Sequence, residues 1–198
     1  MPPIITRVIF ANAMIKPWKK IRTVPTGDFR IFKIHTDTYV NPRTGGEHDF
    51  FVLDSVNWVN VIAVTPDQQL VMVEQYRFGS NTVELEIPGG MMDAEDADPL
   101  VTAVRELREE TGYEGAPARL LGRVMSNPAI LNNVTYTVLI ENCRRLHEVE
   151  FDHGEDLETR LVPAEQVPQL VAEEKIGHSL VVVALFYFDL WRRGIKKL

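Results

Sequence analysis

IPGGMMDAEDADPLVTAVRELREETGY, the stretch from Ile87 to Tyr113, decides how the rest of the chain is read. Its second half predicts a helix. Asp98 suits an N-cap, and Pro99 suits the first helical position, where no N–H is needed. Gly112 falls where a helix C-terminus wants a left-handed residue. Between them Leu100, Ala103, Val104 and Leu107 recur at i, i+3, i+4 and i+7, the spacing of a core-facing stripe. Glu106 and Glu110 stand one turn apart on a face roughly 100° round from that stripe. Glu109 borders the same face, within i, i+4 reach of Arg105.

Like charges one turn apart cost a helix roughly 0.2–0.5 kcal/mol, and a divalent cation between them reverses the sign. A hard ion such as Mg²⁺ takes few protein carboxylates and keeps waters that a phosphate can displace. A solvated, charged helix surface is the other reading of the same pair. Pro88-Gly89-Gly90, running out of a strand-like VELEI, favours the ion, because glycines let backbone groups approach an ion or a phosphate closely.

The stretch resembles the Nudix box: Gly, five residues, Glu, seven residues, then Arg-Glu-apolar-any-Glu-Glu-any-Gly-apolar. Arg105 to Tyr113 (RELREETGY) satisfies the second half at every position. The first half departs by one residue. Counting forward from Gly90 puts Asp96 at the family's Glu, and counting back from Arg105 puts Ala97 there, with Glu95 and Asp98 adjacent. The resemblance implies an α+β fold, the Nudix α/β/α sandwich with a mixed sheet. It also implies Mg²⁺ (with Mn²⁺ as a substitute) held by Glu106, Glu110 and the Gly89 carbonyl, with Glu109 assisting catalysis.

The bulk numbers agree with one compact globular protein of 198 residues, 45% hydrophobic and 25% charged. A net charge of −7 argues against a nucleic-acid or membrane-surface partner. The single cysteine, Cys143, allows no intrachain disulfide and is expected to be a buried or half-buried strand thiol in a reducing cytoplasm. The apolar patch from Ile4 to Phe10 is interrupted by Arg7 and makes a poor signal peptide. The uncharged run from Ile176 to Phe188 is too short to span a bilayer.

Along the chain, residues 1–28 carry no clear pattern beyond a basic cluster around Trp18. Phe29–Val40 and His48–Val56, joined by the turn-rich Asn41–Gly46, predict a hairpin. Asn60–Thr65 and Leu70–Tyr76 predict a second pair, and Val83–Ile87 a short strand. Arg119–Met125, Thr135–Glu141, Leu146–Phe151 and Leu157–Val162 also read as strands. Pro163–Lys175 and His178–Arg192 read as helices. This order is that of an α+β sandwich and not of repeated βαβ units. The expected division is an N-terminal β-hairpin subdomain over 1–57, a dimerisation element by its resemblance to one branch of the family, and a hydrolase domain over 58–198.

That branch is the ADP-ribose and nucleotide-sugar pyrophosphatases, which Glu74-Gln75-Tyr76-Arg77 followed by Glu84-Leu85-Glu86-Ile87-Pro88-Gly89-Gly90 resembles. Arg77 is either a bidentate clamp on a phosphate or an ion-pair partner of Glu86 or Glu84. Ser126 to Asn133 (SNPAILNN) holds three amides that either read a nucleoside edge or close Asx turns. The segment resembles the branch's Asn-Pro-Ala loop, and Asn133, where many relatives have Glu, inherits a substrate-binding role. Relatives also keep a mobile acidic loop before the last strand. Glu155 is its first candidate for general base or metal ligand, ahead of His153 and Asp152; a His among carboxylates favours its charged form.

The resemblance thus implies a metal-dependent hydrolase that splits the pyrophosphate of a nucleoside diphosphate linked to a sugar. ADP-ribose and a GDP- or ADP-hexose are the substrates it suggests, yielding a nucleoside monophosphate and a sugar phosphate. The alternatives are a house-cleaning triphosphatase, an RNA-end pyrophosphohydrolase and a silent nucleotide-sugar sensor. The acidic balance disfavours the RNA enzyme, and three intact box carboxylates disfavour the sensor.

Overall fold

The structure, a computed structural model, describes residues 15–93, 96, 98–151 and 154–198. Two compact units divide the chain, Met1–Asp54 and Ser55–Leu198.

The first unit is a three-stranded sheet in the order β1 (Lys19–Asp28), β2 (Phe32–Val40), β3 (Glu47–Ser55). β2 and β3 are the expected hairpin, closed through Asn41, whose N–H donates to the Gly46 carbonyl at 2.9 Å. Phe29 lies outside the strand, in the turn after β1, where its N–H donates to the Phe32 carbonyl. β1 had no legible pattern because almost all of it is exposed and it carries Pro25, which sits at an irregularity of an edge ladder. What fastens β1 to β2 is polar. Buried Asp37 accepts from the Thr23 hydroxyl at 2.6 Å and the Lys20 ammonium at 3.0 Å.

In the second unit β4 (Trp58–Ala63) and β5 (Gln69–Arg77) are followed by β6 (Thr82–Glu86), β7 (Gly89–Met91) and α1 (Pro99–Thr111). After α1 come β8 (Tyr113–Glu114), β9 (Arg119–Met125), β10 (Val134–Ile140), β11 (Arg144–Arg145) and β12 (Leu157–Pro163). The helices α2 (Val167–Ala172) and α3 (Ser179–Arg192) complete it. One sheet runs β7-β4-β10-β9 and is mixed, with β4 and β10 parallel; the other runs β12-β5-β6. β4 and β5 are therefore not a paired hairpin. They share one bridge, Val64 to Leu70, and then diverge into separate sheets.

β4 places apolar side chains on both faces, as a strand covered on both sides does. Val59, Val61 and Ala63 join the core shared with Ala103 and Leu107 of α1, while Ile62 joins the core shared with Val181, Ala184, Leu185 and Phe188 of α3. The sheet is thus a middle layer between α1 and α3. Among the described residues no helix is long and apolar enough to cross a membrane.

Three further expectations differ. Leu146–Phe151 is not a strand, because its backbone donors serve the end of α1: Leu146 and His147 N–H both reach the Gly112 carbonyl, and Glu150 N–H reaches that of Glu109 at 2.8 Å. The helix expected over Pro163–Lys175 shrinks to α2. Pro163 still pairs with Gln69 in β12, and Pro168, lacking an N–H, fixes the first turn. Left-handed Glu174 then ends it, with Lys175 N–H returning to the Leu170 carbonyl. Cys143 is buried, but in the turn after β10 and not in a strand; burial pushes its thiol up to about 12.

Candidate active site

α1 begins and ends as its residues require. The Asp98 side chain accepts from Leu100 N–H at 2.9 Å, and Gly112 adopts φ 72°. Its buried face is displaced from the apolar stripe. Thr102, Ala103, Glu106, Leu107, Glu110 and Thr111 are buried, whereas Val104 is 43% exposed. The two carboxylates are therefore turned inward with the core and are not a solvated surface.

What they meet is the Gly89–Gly90 segment of β7. Gly89 N–H donates to Glu110 Oε2 at 3.0 Å. A Cβ on Gly90 would lie 2.5 Å from Glu106 Oε1, and one on Gly89 would collide with the Val59 carbonyl oxygen. Only glycine lets this strand pass between β4 and the two acids. The charge is poorly balanced there. Burial lifts the Glu106 carboxyl to about 7 against the pull of Arg105, and the charges of Glu109 and Glu155 add to the rise. Burial, and then the charge of Glu106, hold Glu110 well above the usual carboxylate range despite the Gly89 N–H.

Arg105 organises the segment before the helix. It lies 3.0 Å from both Glu106 Oε1 and Glu109 Oε2, 3.3 Å from Asp93 and 3.5 Å from Asp96. Asp96, the position reached by counting forward from Gly90, also accepts from the Thr102 hydroxyl at 2.8 Å. Glu95 and Ala97 lie outside the described residues.

Gly89–Gly90 also lines a cavity of 710 Å³ whose walls include Trp58, Arg77, Phe78, Glu86, Met91 and His178. Of the two readings open for Arg77, the geometry realises the ion pair. Its Nε and Nη2 grip the two oxygens of buried Glu86 at 2.7 and 2.9 Å. His178 Nδ1 lies 3.0 Å from Glu86 Oε2. Burial alone would raise the Glu86 carboxyl, but hydrogen bonds from Arg77 and His178 hold it down at about 2. The Glu86–His178 contact has no sequence signal, since 92 positions separate the two; the adjoining Glu-apolar-Pro-Gly-Gly pattern marks only Glu86.

The other expected residues divide. Glu155 is half-buried and comes within electrostatic range of Glu106, Glu110 and Arg77, so the last loop does return a carboxylate to the helix face. Asp152 and His153 lie outside the described residues. Glu109 is held by Arg105 at the margin of the buried face. Asn133 is not brought to the cavity. It is 2% exposed and donates from Nδ2 to the Val56 carbonyl at 3.0 Å, fastening the start of β10 to the segment before β4. Asn127 Oδ1 and Asn132 Oδ1 accept backbone N–H groups of Ala129 and Ser55.

The donor set fits a hard divalent ion. Two buried carboxylates repel each other beside a glycine segment, and that is the environment a cation relieves. Among the described residues no three acidic, His or Cys side chains converge to enclose an ion unaided. A shell completed by backbone carbonyl, water and phosphate oxygens is the arrangement Mg²⁺ favours.

Comparison with known proteins gives a consistent result. The model of the NUDIX domain matches residues 56–182. A methanol dehydrogenase activator from Bacillus methanolicus is 29% identical over 87% of this chain and 92% of its own length. An ADP-ribose pyrophosphatase from Bacillus subtilis (strain 168) is 30% identical over 67% of this chain and 71% of its own. The crystal structure of an ADP compounds hydrolase superposes with a TM-score of 0.80 over 94% of this chain and 100% of that one, at 18% identity, a likeness of fold.

Proposed function

The chain belongs to the NUDIX family and is a hydrolase of nucleoside diphosphate derivatives, and from that premise we propose that it splits the pyrophosphate bond of ADP-ribose or a closely related nucleotide sugar with the help of Mg²⁺. The observation that carries the reading is the inward-turned pair Glu106 and Glu110, raised in pKa and backed by Gly89–Gly90. Relatives named ADP-ribose pyrophosphatase in Bacillus subtilis and Mycobacterium tuberculosis support the substrate class.

Glu106, Glu110 and the Gly89 carbonyl would hold the ion. When bound, Mg²⁺ supplies neutralisation of charge on the diphosphate oxygens and acidifies water. Arg105 keeps Glu109 and Glu106 in place from outside. Arg77, locked on Glu86, presents a pre-oriented cation to the diphosphate. Glu155 takes the proton from the water that attacks one phosphorus. The other phosphorus leaves with its sugar, giving a nucleoside monophosphate and a sugar phosphate. The test is a panel of nucleotide sugars, dinucleotides and triphosphates assayed with Mg²⁺ and with EDTA, products identified. We expect ADP-ribose to be split to AMP and ribose phosphate with Mg²⁺ alone; turnover of triphosphates in preference to every sugar-linked diphosphate would overturn the reading.

The working form we propose is a homodimer through the first unit, whose Phe29, Phe50 and Phe51 are 55%, 44% and 63% exposed. Light scattering should return twice the 22.5 kDa chain mass; a monomer at working concentration rejects the dimer.

A further inference from the structure

We propose that the cavity beside Gly89–Gly90 takes the nucleobase, stacked on Phe78 and walled by Trp58, so that these two side chains hold the adenosine end of the substrate and not its sugar end. The inference rests on the nucleoside diphosphate reading above and says which end of the molecule this cavity receives. Trp58, Phe78, Ile87 and Leu180 give the cavity apolar walls, and Asn60, Ser80, Glu84 and Ser179 set polar groups among them. A base matches that mixture, because its flat faces are apolar and its edge carries N–H donors and ring acceptors. A sugar is ringed with hydroxyls, and apolar walls would take them from water without partners. Asn60 supplies one acceptor for the base edge. Its Nδ2 donates to the Leu180 carbonyl at 3.1 Å, which fixes how the amide is turned, and no described residue hydrogen-bonds to its Oδ1.

Both aromatic residues adjoin groups already given to the metal and the diphosphate. Phe78 follows Arg77 at the end of β5, and Trp58 pairs with Met91, the residue after Gly90. The two rings therefore stand where a group tethered to the diphosphate arrives. Phe78 is 86% exposed, the most exposed large apolar side chain among the described residues. It is nonetheless held in place. Its ring meets that of Tyr76 at 5.4 Å and 76°, and the Tyr76 hydroxyl donates to Asn81 Oδ1 at 2.6 Å across the hairpin turn. A fixed ring with an open face is a stacking platform, and loss of one base–aromatic stack weakens binding roughly tenfold.

The test uses three ligands that add one group at a time: pyrophosphate, ADP and ADP-ribose. Binding is measured by calorimetry in EDTA for wild type, Phe78→Ala, Phe78→Leu, Phe78→Trp and Trp58→Leu, and turnover of ADP-ribose with Mg²⁺. Wild type should bind ADP more tightly than pyrophosphate. Phe78→Ala, Phe78→Leu and Trp58→Leu should each bind ADP and ADP-ribose roughly tenfold more weakly, by the same factor for both, and keep pyrophosphate within about twofold. Phe78→Trp should bind all three like wild type. A loss confined to ADP-ribose puts the distal sugar against these rings and overturns the proposal. So do a loss that extends to pyrophosphate, full recovery in Phe78→Leu, no loss at either position, and a wild type that binds ADP no better than pyrophosphate. If ADP-ribose is not hydrolysed with Mg²⁺ and the binding pattern holds, the hydrolytic reading fails and the base assignment stands.

Discussion

Glu86 and Glu110 are about equally hidden, at 2% and 4% exposure, yet their surroundings treat a negative charge in opposite ways. Glu86 is gripped by the Arg77 guanidinium and met by His178, and its carboxyl is held down at about 2. Glu110 has one backbone N–H and the neighbouring charge of Glu106, and its carboxyl is pushed up. Both border the Gly89–Gly90 segment. A buried charge that is fully paired holds a structure in shape; one left underpaired is a place built for something to arrive. The difference separates the part of the site that is finished from the part that a ligand completes.

The largest effects should fall on the unfinished side. Glu110→Gln preserves size and leaves an oxygen for Gly89 N–H, so the fold should persist, while turnover with Mg²⁺ drops by about three powers of ten, roughly 4 kcal/mol. Metal-free denaturation of the variant should show no loss of stability. Activity within tenfold of wild type at saturating Mg²⁺ would place the chemistry elsewhere. Next in size is Glu155→Gln, expected to lower kcat about 100-fold with Mg²⁺ affinity unchanged if Glu155 takes the proton. Partial recovery of rate by added Mg²⁺ would make it a metal ligand, and a change of only a few-fold would remove it from the chemistry.

Glu86→Gln tests the finished side and should give the reverse pattern. Arg77 and His178 lose their common anchor, so stability should fall by about 2 kcal/mol in urea denaturation, less than for a fully buried pair because Arg77 is 43% exposed in its side chain. Mg²⁺ affinity should stay within about twofold. A variant as stable as wild type would show that the two acids are not built differently after all.

The helix α1 was legible because capping, spacing and charge all act locally: Asp98, Pro99, Gly112 and the i, i+4 acids need no distant partner to be recognised. What the carboxylates face was less so. Burial of Glu106 and Glu110 depends on where β7 crosses the helix, and Val104 reads as core by period but is left exposed because that crossing lies on the other face. The Leu146–Phe151 segment reads as a strand, yet the open carbonyls at the end of α1 claim its N–H groups first. Asn133 had the composition of a recognition loop and the job of a buried tie to Val56, which only the long-range pairing of β4 with β10 creates. Glu86 with His178 is the same kind of case, two residues joined by topology and by no pattern.

The dependence of stability on pH sets Glu106 and Glu86 against each other in a single curve. The Glu106 carboxyl stands at about 7 in the fold against an ordinary 4.5, so between those pH values the native state holds the extra proton, and stability of the metal-free protein should fall as pH rises from 4.5 to 7. Glu86 stands at about 2 against the same 4.5, so there the unfolded chain holds the extra proton, and stability should rise with pH from 2 to 4.5. Each shift corresponds to about 3 kcal/mol at most. Urea denaturation in EDTA across this range should therefore show opposite contributions meeting near pH 4.5, isolated by difference: Glu106→Gln should flatten the upper limb, Glu86→Gln the lower. Saturating Mg²⁺ favours the ionised form of Glu106 and should cancel or invert the upper limb while leaving the lower one in place. An upper limb that Mg²⁺ does not alter would mean that the underpaired acids are not where the ion binds.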